Sequence, residues 1–100
     1  MPQDKQKIID DIKEYILKNK GDYNSWYVGV SSDARKILFK EHEVKEKGDR
    51  WIYKTVITSE IAREVEKHFL IVLGTHGEIG SGEENARMVY AYRKAMHTDA

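Results

Sequence analysis

The sequence predicts one small α/β domain over residues 1-100, a three-stranded, mainly antiparallel sheet flanked by three helices. Three observations predict it. Segments with apolar residues at helical spacing alternate along the chain with short segments rich in aromatic and β-branched residues. The length of 100 residues suits one domain that can bury a real core. Hydrophobic residues at 40% and charged residues at 34% describe a folded, well-solvated chain rather than a disordered one.

Residues 3 to 19 set Ile8, Ile9, Ile12, Ile16 and Leu17 at helical spacing, with Tyr15 at the margin and Lys5, Asp10, Lys13 and Glu14 opposite. Pro2 suits the opening of this helix, and Gly21 the left-handed position after its last turn. Residues 23 to 30 are aromatic and β-branched, and Trp26, Val28 and Val30 alternate, which predicts a strand. Gly29 inside it marks a bulge or a close backbone approach. Ser31, Ser32 and Asp33 offer cap oxygens for a short helix over 33 to 42, with Ala34, Ile37 and Leu38 inward.

Residues 43 to 50 are charged and read as a solvated loop. Trp51 to Ile57 is the clearest strand. Ser59 caps a helix running to about Leu73, with Ile61, Ala62, Val65, Phe69 and Val72 as its inner stripe and Gly74 as its stop. Four glycines between Gly74 and Gly82 predict a mobile loop. Arg87 to Lys94 is a last strand, with Met88, Tyr90 and Tyr92 on one side and Val89 and Ala91 on the other. The tail from Ala95 is expected to fray.

Composition bounds the chemistry. Without cysteine there is no disulfide and no thiolate nucleophile. No apolar run is long enough to span a bilayer, and Met1-Pro2-Gln3-Asp4-Lys5 lacks a signal-peptide core. The expectation is a cytoplasmic protein with no membrane partner. Seventeen basic and 17 acidic residues give a formal charge of zero, so any nucleic-acid contact must come from a local basic patch. There is no Gly-x-Ser-x-Gly elbow, and the glycine-rich loop lacks the Gly-Lys-Ser/Thr ending of a phosphate cradle. His42, His68, His76 and His97 are scattered. Glu64 and His68, four apart on one helix, have the spacing for a divalent ion, though a plain helix-surface contact has the same spacing. Trp26, Trp51, Tyr53, Tyr90 and Tyr92 all fall in strands, with Lys54, Arg93 and Lys94 nearby. They suit cross-strand packing, or a stacking platform for single-stranded nucleic acid.

One stretch carries a stronger signal. Residues 26 to 42 read Tyr27-Val28-Gly29 at a strand end, a polar turn with Asp33, then a helix bearing Arg35 and closing on His42. Further on, Ala62 and Glu66 are four apart on a helix opened by Thr58-Ser59. Over residues 26 to 73 this resembles the second half of the GIY-YIG nuclease signature. The resemblance implies a metal-assisted site that cuts DNA strands. Tyr27, Arg35, His42 and a second tyrosine would be its catalytic residues, and Glu66 would hold Mg²⁺ or Mn²⁺. The family's Gly-Ile-Tyr strand does not precede Tyr27, and the last strand can supply its tyrosine as Tyr90 or Tyr92. The functional expectation is therefore a GIY-YIG-like domain with DNA as partner, either a divalent-metal-dependent DNA endonuclease or a degenerate relative of one. The alternatives are a non-catalytic protein-interaction module, with a homodimer formed through the last strand, or a single-stranded nucleic-acid binder. Each residue also has a plainer structural reading. The nuclease reading requires Tyr27, Arg35 and Glu66 to converge on one concave surface.

Overall fold

The structure is a computed structural model, and it describes residues 5–19, 22–45, 47–77 and 85–94. Its elements run α1 (Lys5–Lys18), β1 (Trp26–Ser31), α2 (Ala34–Lys36), β2 (Trp51–Thr55), α3 (Ser59–Lys67) and β3 (Met88–Arg93). A 3₁₀ turn, Tyr23–Ser25, precedes β1, and both α2 and α3 run on into wider π-helical turns, Ile37–Glu41 and His68–Leu73. The three strands form one antiparallel sheet in the order β1-β3-β2, so the last strand is the central one. The α/β class with a three-stranded antiparallel sheet and three helices is the one the sequence predicts.

Strand alternation sorts the side chains onto two faces. Trp26, Val28 and Val30 of β1, with Val89 and Ala91 of β3, join Ile8, Ile9, Ile12 and Ile16 of α1 and Ala62, Val65 and Phe69 in the main core. Tyr27, Tyr90 and Tyr92 point the other way and pack with Ala34, Leu38 and Val44. Helices α1 and α3 therefore cover one face and α2 the other, which is why all six residues of β1 are buried. Ala34, Leu38 and His42 are buried at four-residue spacing, the stripe α2 and its π turn turn to the sheet.

Several local expectations are corrected. Residues 23 to 25 form a turn rather than strand. Thr58, not Ser59, caps α3, its hydroxyl accepting from the Ile61 N–H at 3.2 Å. Val44 is buried in what reads as a solvated loop. Val72 is exposed, because the π turn winds more residues into each turn and carries the inner stripe past it to Leu70 and Leu73. Gly74 ends the helix in the left-handed conformation, at φ 84°. The segment after it is partly tied down. His76 bridges to β1, with Val28 N–H donating to its carbonyl at 2.9 Å and its own N–H donating to Trp26 at 2.8 Å. The rest of the predicted glycine-rich loop, Gly21 and the tail from Ala95 lie outside the described residues.

The expected homodimer through the last strand is also corrected. β3 pairs along its whole length with β1 on one side and β2 on the other, so it has no edge for a partner strand.

Candidate functional site

The topology that puts β3 in the centre also brings three distant segments together. Antiparallel register sets Tyr27 directly across from Tyr92 and Gly29 across from Tyr90. The Tyr27 and Tyr92 rings stack at 5.3 Å, and Tyr27 and Tyr90 at 6.4 Å. Gly29 is the close approach the sequence suggests and not a bulge. A Cβ there would sit 2.4 Å from the Tyr90 hydroxyl oxygen, so only glycine lets that ring lie over the strand. The π turn after α2 ends with the His42 N–H donating to the Ile37 carbonyl at 2.9 Å, which delivers the imidazole onto this ring layer.

His42 then ties the layer together. Its Nε2 lies 3.0 Å from the Tyr90 hydroxyl and its Nδ1 3.2 Å from the Tyr92 hydroxyl. A neutral imidazole donates through one nitrogen and accepts through the other, so one phenol accepts from His42 and the other donates to it. The imidazole also tilts against the Tyr27 ring at 4.8 Å. Tyr27 and His42 are each 8% exposed, Tyr90 2%, and Tyr92 and Glu66 not at all. Burial pushes the Tyr90 phenol well above its ordinary value of 10.0, and the charges of Tyr27, Tyr92, Glu66 and Glu41 push it further. At neutral pH this hydroxyl is a hydrogen-bonding group and not a base.

Glu66 comes from α3, where Ala62, Val65, Glu66 and Phe69 follow the core-facing i, i+3, i+4, i+7 pattern. It therefore lies in the inner stripe and not on a solvated face. The apolar members of that stripe belong to the core on the opposite side of the sheet from the Tyr27 ring. Arg35 goes elsewhere. Its guanidinium sits over Phe39 at 5.2 Å and over Trp51 of β2 at 5.9 Å. The structure thus gathers Tyr27, His42, Tyr90 and Tyr92 in one layer; the charge of the enclosed Glu66 acts on the Tyr90 phenol, and Arg35 lies over Phe39 and Trp51.

Among the described recesses, none is lined by Tyr27, Arg35, His42, Glu66, Tyr90 or Tyr92. One of about 230 Å³ is lined by Ser31, Ser32, Asp33, Lys36, Ile37 and Glu41. A larger one of about 440 Å³ lies at the α3 end of the sheet, beside Ser59 and Arg87. Neither takes in Tyr27, Arg35 or Glu66. A magnesium ion held by one carboxylate keeps several waters. Glu66 is fully enclosed, with both carboxylate oxygens buried. Among the described residues no group of three or more histidines, aspartates or glutamates comes together as a metal site. Glu64, the other spacing candidate, instead bridges to Lys5 at 3.8 Å. Also among them, no helix is long and apolar enough to cross a membrane.

Sequence reasoning missed Phe39, which joins Arg35 and Trp51 in a second aromatic group. The Arg35–Phe39 spacing of i, i+4 on one helix face was the available signal. Fold and site together define a three-layer α/β domain with an enclosed tyrosine–histidine layer. No family model, no curated protein and no solved structure matches the chain.

Proposed function

We propose that the chain is a degenerate GIY-YIG-like domain, in which the residues matched to the nuclease motif form a closed packing centre and not a strand-cutting site. The kinship is supported by convergence: Tyr27 and His42, matched to the motif by position, meet in one layer with Tyr90, the last-strand tyrosine inferred to stand in for the missing one. The loss of cutting rests on one observation. Both ring nitrogens of His42 are engaged by phenols inside the core. An imidazole so held has no nitrogen for an attacking water, and the raised Tyr90 phenol does not take a proton either.

Chemically, the layer acts as a clamp. It fixes α2 against the sheet through two buried hydrogen bonds and three ring contacts. A supercoiled-plasmid nicking assay in Mg²⁺ or Mn²⁺ tests the proposal. The expected result is no nicking by the wild-type protein. Nicking that disappears in Glu66→Ala would overturn the degenerate reading and restore the endonuclease.

A further inference from the structure

We propose that two copies of this chain pair antiparallel through the outer edge of β2, with Tyr53 opposite Tyr53, and so join their sheets into one six-stranded sheet. The proposal rests on backbone geometry outside the tyrosine–histidine layer, so it holds whether or not the domain cuts DNA.

The hydrogen bonds to β3 fix which groups of β2 face outward. The Arg93 N–H donates to the Arg50 carbonyl at 2.9 Å, and the Val56 N–H donates to the Arg87 carbonyl at 2.8 Å. Antiparallel ladders alternate residue by residue between bonded and non-bonded pairs. Arg50, Ile52, Lys54 and Val56 therefore turn their backbone groups to β3, and Trp51, Tyr53 and Thr55 turn theirs away from it. The Trp51 N–H donates to the Tyr15 hydroxyl of α1 at 3.1 Å. Among the described residues nothing meets the outward backbone groups of Tyr53 and Thr55. The opposite edge of the sheet differs, because His76 bridges β1 at Trp26 and Val28. β2 is also the least enclosed strand. Its first four residues are half-buried and Thr55 is exposed, while β1 is buried throughout.

Sheet edges are guarded against pairing by proline, bulges or charge. Trp51–Thr55 contains no proline, and its register with β3 is unbroken. Its one charge, Lys54, shares the α1 side of the strand with Ile52, and its Nζ lies 3.6 Å from the Asp11 carboxylate.

The edge is also self-complementary, which selects a second copy as its partner. With a two-fold axis at Tyr53, Tyr53 faces Tyr53, Trp51 faces Thr55 and Ile52 faces Lys54. Aromatic–aromatic and aromatic–β-branched pairs of this kind stabilise a ladder, and no like charges meet. Moving the axis by one residue sets Lys54 against Lys54 in one direction and Arg50 against Lys54 in the other. Like charges directly opposite are destabilising, so the register centred on Tyr53 is favoured over both neighbours.

Sedimentation equilibrium from about 5 to about 500 µM tests this, the range in which a small interface associates. The wild-type mass is expected to approach twice that of the chain as concentration rises. Tyr53→Pro removes an outward N–H and no bond to β3, so it should stay folded and monomeric. Tyr53→Lys and Tyr53→Glu should each be monomeric alone and dimerise when mixed, because position 53 meets itself across the axis. Ile71→Ser, at an exposed apolar position in the π turn after α3, should dimerise like the wild type. Circular dichroism checks that each variant is folded. A wild type that stays monomeric at every concentration would overturn the proposal and leave the edge to a strand of a different protein. So would a folded Tyr53→Pro protein that dimerises, or a mixture of the two charged variants that stays monomeric.

Discussion

His42 links two hydroxyls that nothing in the local sequence connects, so its role is testable by removing them one at a time. Tyr90→Phe leaves Nε2 without the phenol it meets, and Tyr92→Phe does the same to Nδ1. Each change is expected to lower stability by about 1–3 kcal/mol in urea denaturation, the cost of a buried polar group that loses its partner. The double variant should cost less than the sum, since both bonds share one imidazole. Gly29→Ala is expected to cost about 1–3 kcal/mol as well, because the enclosed Tyr90 ring has nowhere to move. Tyr90→Phe should not rescue it, since the ring carbon bearing the hydroxyl would itself lie 2.5 Å from the new Cβ.

The same phenol predicts a pH dependence. Its folded value lies above the ordinary 10.0, so the stabilisation it brings is complete below that pH and is lost as pH rises above it. Between pH 9 and 11 the wild type should therefore lose more stability than Tyr90→Phe, approaching about 1.4 kcal/mol per pH unit above the unfolded value. Equal losses would show that Tyr90 titrates normally. Part of this site was legible in the sequence. Alternation alone puts Tyr90 and Tyr92 on one side of their strand, and the Gly29 reading included close approach. The burial of Glu66 is legible in the sequence from its place in the apolar stripe with Ala62, Val65 and Phe69. That His42 bonds both tyrosines was not legible, because it depends on a contact spanning 48 residues.

At the scale of elements, the two ends of the helix beginning at Ser59 have different physical causes. Thr58 caps the start, and Thr58→Ala should cost about 1 kcal/mol. At the other end Gly74 adopts φ 84° with open space around it, so Gly74→Ala should cost about 1 kcal/mol through backbone strain alone. Gly74→Asn should cost less, because asparagine tolerates that conformation better. Thermal denaturation of the three variants checks this order. The glycine stop was plain in the sequence. The π turn before it was not, since a period argument assumes a constant number of residues per turn, and Val72 was misplaced for that reason. α1 was read well from its isoleucines, but its link to the sheet was not. Asp11 accepts from Lys7 at 3.0 Å and pairs with Lys54 of β2 at 3.6 Å, and the Lys7 hydrogen bond holds its carboxyl below the usual range. The stability this pair adds should be present above the ordinary carboxylate value of 3.8 and fade as pH falls below it.

For the molecule as a whole, strand order was the feature the sequence could not supply. Periodicity identifies strands but says nothing of which neighbours which, and here the last strand inserts between the first two. That single fact closes the β3 edge, brings Tyr90 and Tyr92 beside β1, and leaves β2 paired on one side only among the described residues. It also means that Tyr27, His42, Tyr90 and Tyr92 are enclosed between the sheet and α2 with its π turn. Divalent ions give the most direct check on this account, because a ligand that binds only the folded state raises its melting temperature. Melting in millimolar Mn²⁺ should match melting in EDTA for the wild type and for Glu66→Gln alike. A rise seen in the wild type and lost in Glu66→Gln would contradict the closed centre and show that Glu66 holds a metal after all.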